Sequence, residues 1–282
     1  MIFPDLPQTA RDVGHHYDEL DQAYRDIWGE HVHHGYWISG RETPAAAAEA
    51  LVRLVADRLD LGPGQEVCDI GCGYGATGGW LAEHRQVKVT GFTISEAQAR
   101  IGRARSQAEP GFTCLCRDWL DNRMADASFD RAYAIESSEH MVDKPRFFAE
   151  AARVLRPSGR LVVCAWLSTE EPGSREVRHL LEPICREGRL PSMGSRSEYL
   201  AMAAAAGFSL LGYDDVSRNV RRTWAICLRR TLVRLVTDPA LRRLALSRGT
   251  DNRGFLLSLP RLMVALRTGA MRYGVFVWEK QV

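Results

Sequence analysis

The chain has 282 residues, of which 45% are hydrophobic and 26% charged, enough for one enlarged domain or a domain plus a cap around a sizeable core. A net charge of only +2 argues against nucleic acid as the main partner, and no apolar run is long enough to span a bilayer. Met1 to Thr9 lacks the apolar stretch of a secretory signal, so a cytoplasmic protein is expected. The seven cysteines (68, 72, 114, 116, 164, 185 and 227) form no C-x-x-C pair, so neither disulfides nor a metal site is expected. They read as buried thiols in a reducing compartment.

Residues 10–40 are rich in His and aromatics and are expected to start helical and turn irregular from Gly35. Pro44 to Leu59 places Ala47, Leu51, Leu54, Val55 and Leu59 at helical spacing, with Thr43 as N-cap and Pro44 in the first position. From residue 66, short apolar strands alternate with helices. Strands are predicted at 66–70, 87–92, 112–116, 130–135 and 160–166, and helices at 76–84, 95–107 and 144–155. That alternation implies a parallel sheet covered on both faces. A helix at 196–206, a strand near 207–216 and a final strand from Tyr273 to Glu279 complete the set.

Between the last two strands lies a basic, Leu-rich segment, 219–270, too long for a plain connection and predicted to be a helical cap. From 221 to 248 it carries eight arginines (221, 222, 229, 230, 234, 242, 243 and 248) and one acid, Asp238. Two readings stay open for it: a solvated lid over the site, or an amphipathic surface with weak affinity for anionic lipid. The expected divisions are 1–60 as an N-terminal helical segment, 61–218 as the α/β core, 219–270 as the cap, and 271–282 as the last core strand.

Residues 67–75 read Val-Cys-Asp-Ile-Gly-Cys-Gly-Tyr-Gly, a strand running into alternate glycines and then a helix. Glycines let the backbone turn tightly and approach a ligand, and the helix start offers amides and positive dipole. Dinucleotide sites use such a loop too. Asp69 separates the cases, because its carboxylate would repel a phosphate and attract a cationic ligand.

Asp69-Ile70-Gly71-Cys72-Gly73-Tyr74-Gly75 resembles the first motif of class I S-adenosylmethionine-dependent methyltransferases. The similarity continues through Lys88 to Ser95 with Gln98, Phe129-Asp130, Glu136 to Met141 and Arg153 to Gly159. The set resembles the γ-tocopherol methyltransferase group and, more distantly, the cyclopropane fatty acid synthases. Trp28 to Trp37 and Met193 to Tyr199 are similar to the tocopherol group as well. The resemblance implies a Rossmann-like α/β fold: a seven-stranded, mostly parallel sheet with helices on both faces and a helical cap before the last strand. It also implies S-adenosylmethionine as cofactor and S-adenosylhomocysteine as product.

Carried over residue by residue, it sets Asp69, Gly71, Gly73 and Gly75 at the methionine part of the cofactor. Thr93 and Ile94 stand where many class I enzymes hold the ribose with an acid, and Gln98 takes that role. Asp118 is assigned to the adenine amino group, with Trp119 either over the adenine face or in the core. Glu136, His34 and Tyr36 are assigned to the cofactor as well, the last two on a segment folding over it.

Methyl transfer is an in-line displacement, in which alignment alone contributes about 7–11 kcal/mol. A base is needed when the acceptor holds its proton tightly, as a phenol does up to about pH 10. Glu139 and His140, following the fourth strand at the carboxyl edge of the sheet, are the candidate catalytic pair. In related sugar O-methyltransferases a histidine at the position of His140 is the base, but their acid after the fifth strand is replaced here by Ala165-Trp166, as in the tocopherol group. Trp166, Tyr199 and Trp224 are expected to line an apolar acceptor pocket.

The expected activity is ring C-methylation of a small phenol or quinol, with O- or N-methylation of a secondary metabolite as the alternative. A silent cofactor-binding scaffold is disfavoured by the intact Glu139-His140 pair, and a nicotinamide dehydrogenase by Asp69 and Thr93.

Overall fold

The computed structural model describes residues 1–239, 242–243 and 253–281. Among them seven strands form one sheet in the order β3-β2-β1-β4-β5-β7-β6. They are β1 (Glu66–Ile70), β2 (Lys88–Thr93), β3 (Phe112–Cys116), β4 (Phe129–Ile135), β5 (Leu155–Ser168), β6 (Phe208–Asp215) and β7 (Met271–Lys280). The first five run parallel, and β7 inserts antiparallel between β5 and β6, with Leu161 opposite Trp278. Strand order reverses at β1, so the carboxyl ends of β1 and β4 part to form the crevice in which open α/β sheets bind ligands.

The helices follow from their caps and apolar faces. α1 (Ala10–Glu19) opens with a Thr9–Asp12 capping box, and α2 (Asp21–Ile27) follows at once. α3 (Pro44–Leu59) has the expected bounds, and the Thr43 side chain accepts from the Ala46 N–H. Its Leu51, Val52, Val55 and Leu59 are fully buried against the sheet. α4 (Ala76–Arg85), α5 (Glu96–Ala108) and α6 (Lys144–Val154) alternate with the strands as predicted. The N-terminal region departs from expectation, becoming irregular after Ile27 rather than from Gly35.

A helical run not expected from the sequence begins at Ser174 and ends in α7 (Glu182–Glu187). Next comes α8 (Arg196–Ala205), capped by a Ser195–Glu198 box. Two helices of the expected cap are described, α9 (Arg222–Thr237) and α10 (Arg253–Thr268). Trp224, Cys227, Leu259 and Leu262 bury one cluster together with Leu181 and Ile184 of the unforeseen run. Arg221, Arg222 and Arg229 are exposed, as are the apolar Leu232, Val233 and Val236, so the cap turns a mixed basic and apolar face outward. Arg234 pairs with Asp26 at 2.7 Å and with Asp238 at 3.5 Å. Residues 240–241 and 244–252, with Arg248 among them, lie outside the described residues. No described helix is long and apolar enough to cross a membrane.

α1 lies across the mouth of the crevice. Gly14 allows this approach, since a Cβ there would stand 3.1 Å from the Ile94 carbonyl. The Asp18 carboxylate then accepts from the Ser95 hydroxyl at 2.6 Å and the Ala97 N–H at 3.0 Å, so α1 helps cap α5.

Candidate active site

The chain leaves β1 through three glycines with left-handed φ: +86° at Gly71, +54° at Gly73 and +79° at Gly75. They do different work. A Cβ at Gly71 would collide with the Ser137 side chain, and one at Gly75 with the Phe112 ring. Only a Cβ at Gly73 would meet nothing, because Gly73 faces open space. Gly71 and Gly73 therefore line the crevice, whereas Gly75 is the packing point that seats α4, a correction to its expected place against the ligand.

On one side the crevice holds about 750 Å³ of empty space, open solvent at its mouth included. Its walls include Thr93, Ile94, Gln98, Asp118 and Trp119, together as the sequence implied. Thr93 donates its hydroxyl to the Gln98 amide oxygen at 2.8 Å, so Gln98 offers a ligand its NH2 group. Trp119 has the core placement of one reading and also faces the cavity. Its indole is buried in the core and donates to the Phe147 carbonyl at 3.3 Å, while it also forms part of the cavity wall.

The other end of the crevice runs past the glycine loop to Asp69 and Tyr133. Both are buried, and the Asp69 carboxyl interacts with the Tyr133 hydroxyl, with no further partner at Asp69 Oδ2. Burial pushes the Asp69 carboxyl up to about 7. A buried acid whose neighbour is a single tyrosine hydroxyl, beside a Cβ-free loop, suits a polar, cationic ligand.

A second, smaller cavity shares Tyr17, Val32, Glu136 and His140 with the first. Tyr24, Trp28, Trp166 and Trp224 give it aromatic walls, with Glu139 and Leu190 beside them. Trp224 meets Trp28 and Trp166 edge-on, at 5.7 and 5.5 Å between ring centres. Trp166 and Trp224 thus stand where an acceptor pocket was predicted, and Tyr17, Tyr24 and Trp28 are additions from the N-terminal helices.

Glu136 sits at the seam of the two cavities with φ +53°. Its carboxylate accepts from four groups: the His34 N–H at 2.7 Å, His34 Nδ1 at 2.8 Å, the Tyr273 hydroxyl at 2.8 Å and Trp166 Nε1 at 3.1 Å. Burial works to raise this carboxyl, yet the charge and hydrogen bonds of His34 prevail and hold it at about 2. Glu136 is therefore a fixed negative charge between the cavities. His34 acts through it rather than by lining either cavity, a correction to its expected direct contact with the cofactor.

Glu139 is buried in the turn after β4. It accepts from the Trp166 N–H at 2.5 Å and from the Ser138 hydroxyl at 3.1 Å. Burial pushes its carboxyl up to about 7. His140 Nδ1 lies 3.3 Å from the Arg189 carbonyl, and Nε2 lies 3.0 Å from the Tyr17 hydroxyl. A carbonyl can only accept, so Nδ1 carries the proton and Nε2 is left as the acceptor, bonded by Tyr17. Burial lowers the His140 imidazole to about 4, so near neutral pH the ring is an uncharged base.

Two further expectations need correction. Tyr36 lines neither cavity. A Cβ on its neighbour Gly35 would fall 2.7 Å from Ala47, and the Tyr36 N–H bonds the Ala47 carbonyl at 2.7 Å. That contact draws the segment onto α3, where Tyr36 packs against the core. Tyr199 is fully buried and stacked on Phe276, because the inner face of α8 packs on the sheet. Its hydroxyl reaches Ser138 at 3.0 Å, so it braces the Glu139 turn instead of lining the acceptor pocket.

A parallel sheet closed by an antiparallel β7, a cradle of glycines and a buried acid before it define a class I S-adenosylmethionine-dependent methyltransferase. Residues 5–234 match the family described as mycolic acid cyclopropane synthetase, and the chain belongs to that family. The O-methyltransferase resE of Aspergillus sclerotiorum is 35% identical over 224 residues, covering 77% of this chain and 83% of that one. A probable chloroplastic tocopherol O-methyltransferase of Oryza sativa subsp. japonica is 28% identical over 282 residues, covering 94% and 76%. The solved mycolic acid cyclopropane synthase CmaA1, complexed with SAH and CTAB, shares the fold with a TM-score of 0.86 at 22% identity, covering 98% of this chain and 100% of the other. Both resemblances read from the sequence, and the cofactor they imply, are thus borne out.

The residues present fit that cofactor. The crevice has room at Gly73, the buried Asp69 carboxyl for the ammonium end and polar groups at Gln98 and Asp118 for the other end. Donor binding is then expected to release a proton from Asp69. An ammonium beside the carboxylate lowers its pKa, so at about pH 6 a protonated Asp69 must ionise. Affinity should rise with pH and level off above about pH 8. The same raised pKa means that unliganded stability is lost as pH rises through about 7. Titration calorimetry in buffers of different ionisation enthalpy checks this, and Asp69→Asn should abolish the buffer dependence.

Proposed function

We propose that this methyltransferase methylates a hydroxyl oxygen of a small, aromatic or lipophilic acceptor, with His140 as the general base. One observation carries the reading. The neutral His140 ring has its proton fixed on Nδ1 by the Arg189 carbonyl, and its Nε2 accepts a hydroxyl hydrogen at the seam of the two cavities. An acceptor hydroxyl would bond Nε2 in place of the Tyr17 hydroxyl that holds it in this structure. S-adenosylmethionine supplies a methyl group on a positively charged sulfur. Glu136 holds a negative charge at the seam, where it favours that cationic centre. Trp28, Trp166 and Trp224 bind the acceptor and exclude water. The O-methyltransferase names of the relatives support oxygen as the target.

Ring C-methylation of a phenol or quinol, the expectation from sequence, is the second reading. The aromatic walls favour it, since they would hold a flat ring while the same base removes the hydroxyl proton. Incubation with donor carrying a deuterated methyl group and a panel of alcohols, phenols, quinols and amines tests both. Mass spectrometry is expected to find one added methyl, and NMR to place it on oxygen. A ring methyl or an N-methyl product would overturn the first reading.

A further inference from the structure

Lys144 has no part in the chemistry above, yet its placement is unusual. It is the first residue of α6, at the positive end of the helix dipole, and it is only 2% exposed. Dipole and burial both disfavour a cation there. Helix formation does not need it, because the Asp143 side chain already caps α6 by accepting from the Arg146 N–H. Burial draws its ammonium down to about 8, opposed by the nearby Glu139 carboxylate.

What the ammonium touches explains the placement. Its three hydrogens meet three acceptors: the Glu139 carbonyl at 3.2 Å, the Met141 carbonyl at 3.3 Å and the Ser192 hydroxyl at 2.8 Å. The two carbonyls flank His140. Ser192 belongs to the loop that presents the Arg189 carbonyl, with Arg189 itself at φ +55°. The ammonium therefore binds together the two segments whose separation sets the bond from His140 Nδ1 to the Arg189 carbonyl.

We propose that Lys144 is a positioning residue for His140: it clamps the His140 turn to the 189–192 loop and so holds the imidazole ring and its tautomer in place for proton removal. The proposal rests on His140 being the base, but the clamp itself can be observed without turnover. Misplacing a reacting group by about 1 Å costs up to about 100-fold in rate, so the clamp acts on kcat rather than on donor binding.

The test is Lys144→Met, which keeps the stem and removes the three donors. Expected are a kcat lower by about 10- to 100-fold, a donor Kd within about twofold of the wild type, and altered 15N imidazole signals for His140. In the wild type those signals should report a single Nδ1–H tautomer, and in the variant a mixture. If kcat falls with the donor Kd and the tautomer signal unmoved, Lys144 is merely structural and the proposal is overturned. Unchanged kcat together with an unchanged signal also overturns it. A shifted tautomer with unchanged kcat keeps the clamp and instead removes His140 as base, so the two failures are distinguishable. Should Lys144→Met not fold, Ser192→Ala removes one acceptor alone. It should lower kcat severalfold and shift the His140 signal, and no change in either overturns the proposal.

Discussion

Gly73→Asp is expected to abolish donor binding while leaving the fold in place. Of the three glycines in the loop, only Gly73 has empty space where a Cβ would stand, and Gly73 lines the crevice assigned to the cofactor. An aspartate there fills the crevice and adds a second carboxylate near Asp69. The left-handed φ of +54° adds strain of about 1–2 kcal/mol. Such strain should lower the melting temperature by only about 2–4 °C. Affinity for S-adenosylmethionine or S-adenosylhomocysteine should fall by at least about 100-fold, or about 2.7 kcal/mol, read by calorimetry and by loss of the ligand-induced rise in melting temperature. Gly71→Ala and Gly75→Ala should behave in the opposite way, costing stability first through Ser137 and Phe112. Wild-type affinity in Gly73→Asp would remove the crevice as the donor site.

His140→Ala carries the second large effect. Removing a positioned general base should lower turnover by about 10²- to 10⁴-fold. Donor affinity should stay within about twofold, because the ring reaches the donor cavity only at its seam with the acceptor cavity. The pH profile gives an independent check. With the imidazole at about 4, the ring is neutral above that value and accepts a proton, whereas below it the ring is charged and cannot. The acid limb of the wild type that belongs to His140 should therefore fall near pH 4 rather than near the about 6.5 of a free imidazole, and the variant should lack it. Steady-state rates across pH with saturating donor measure both quantities, and an undiminished rate in His140→Ala would demote the residue to structure.

Much of this was legible in the sequence where a residue type answers to a local demand. Thr43, Pro44 and the apolar face behind them specify α3 without help from the rest of the chain. Val67, Cys68 and Ile70, with the glycines after them, specify a buried strand and its turn. Partners distant along the chain were not legible. Tyr17 meets His140 across 123 positions, and nothing in the periodicity of α1 says which face will find that ring. The helical run ending in α7 was missed because Leu181, Ile184 and Cys185 bury against cap helices, so the pattern has meaning only once the cap is in place. Tyr199 was misassigned for a related reason. An aromatic residue near a site looks the same in sequence whether it points at a ligand or, as here, stacks on Phe276.

The lid helix α1 also has a consequence for how the two ligands influence each other. Neighbouring residues on it meet different elements: Asp18 holds the start of α5, whose Gln98 lines the larger cavity, and Tyr17 meets His140 where that cavity joins the smaller one. A ligand that steadied the 93–98 segment would also steady the roof of the neighbouring cavity, since both contacts belong to one helix. Thermodynamic reciprocity then requires the acceptor to return the same factor to the donor.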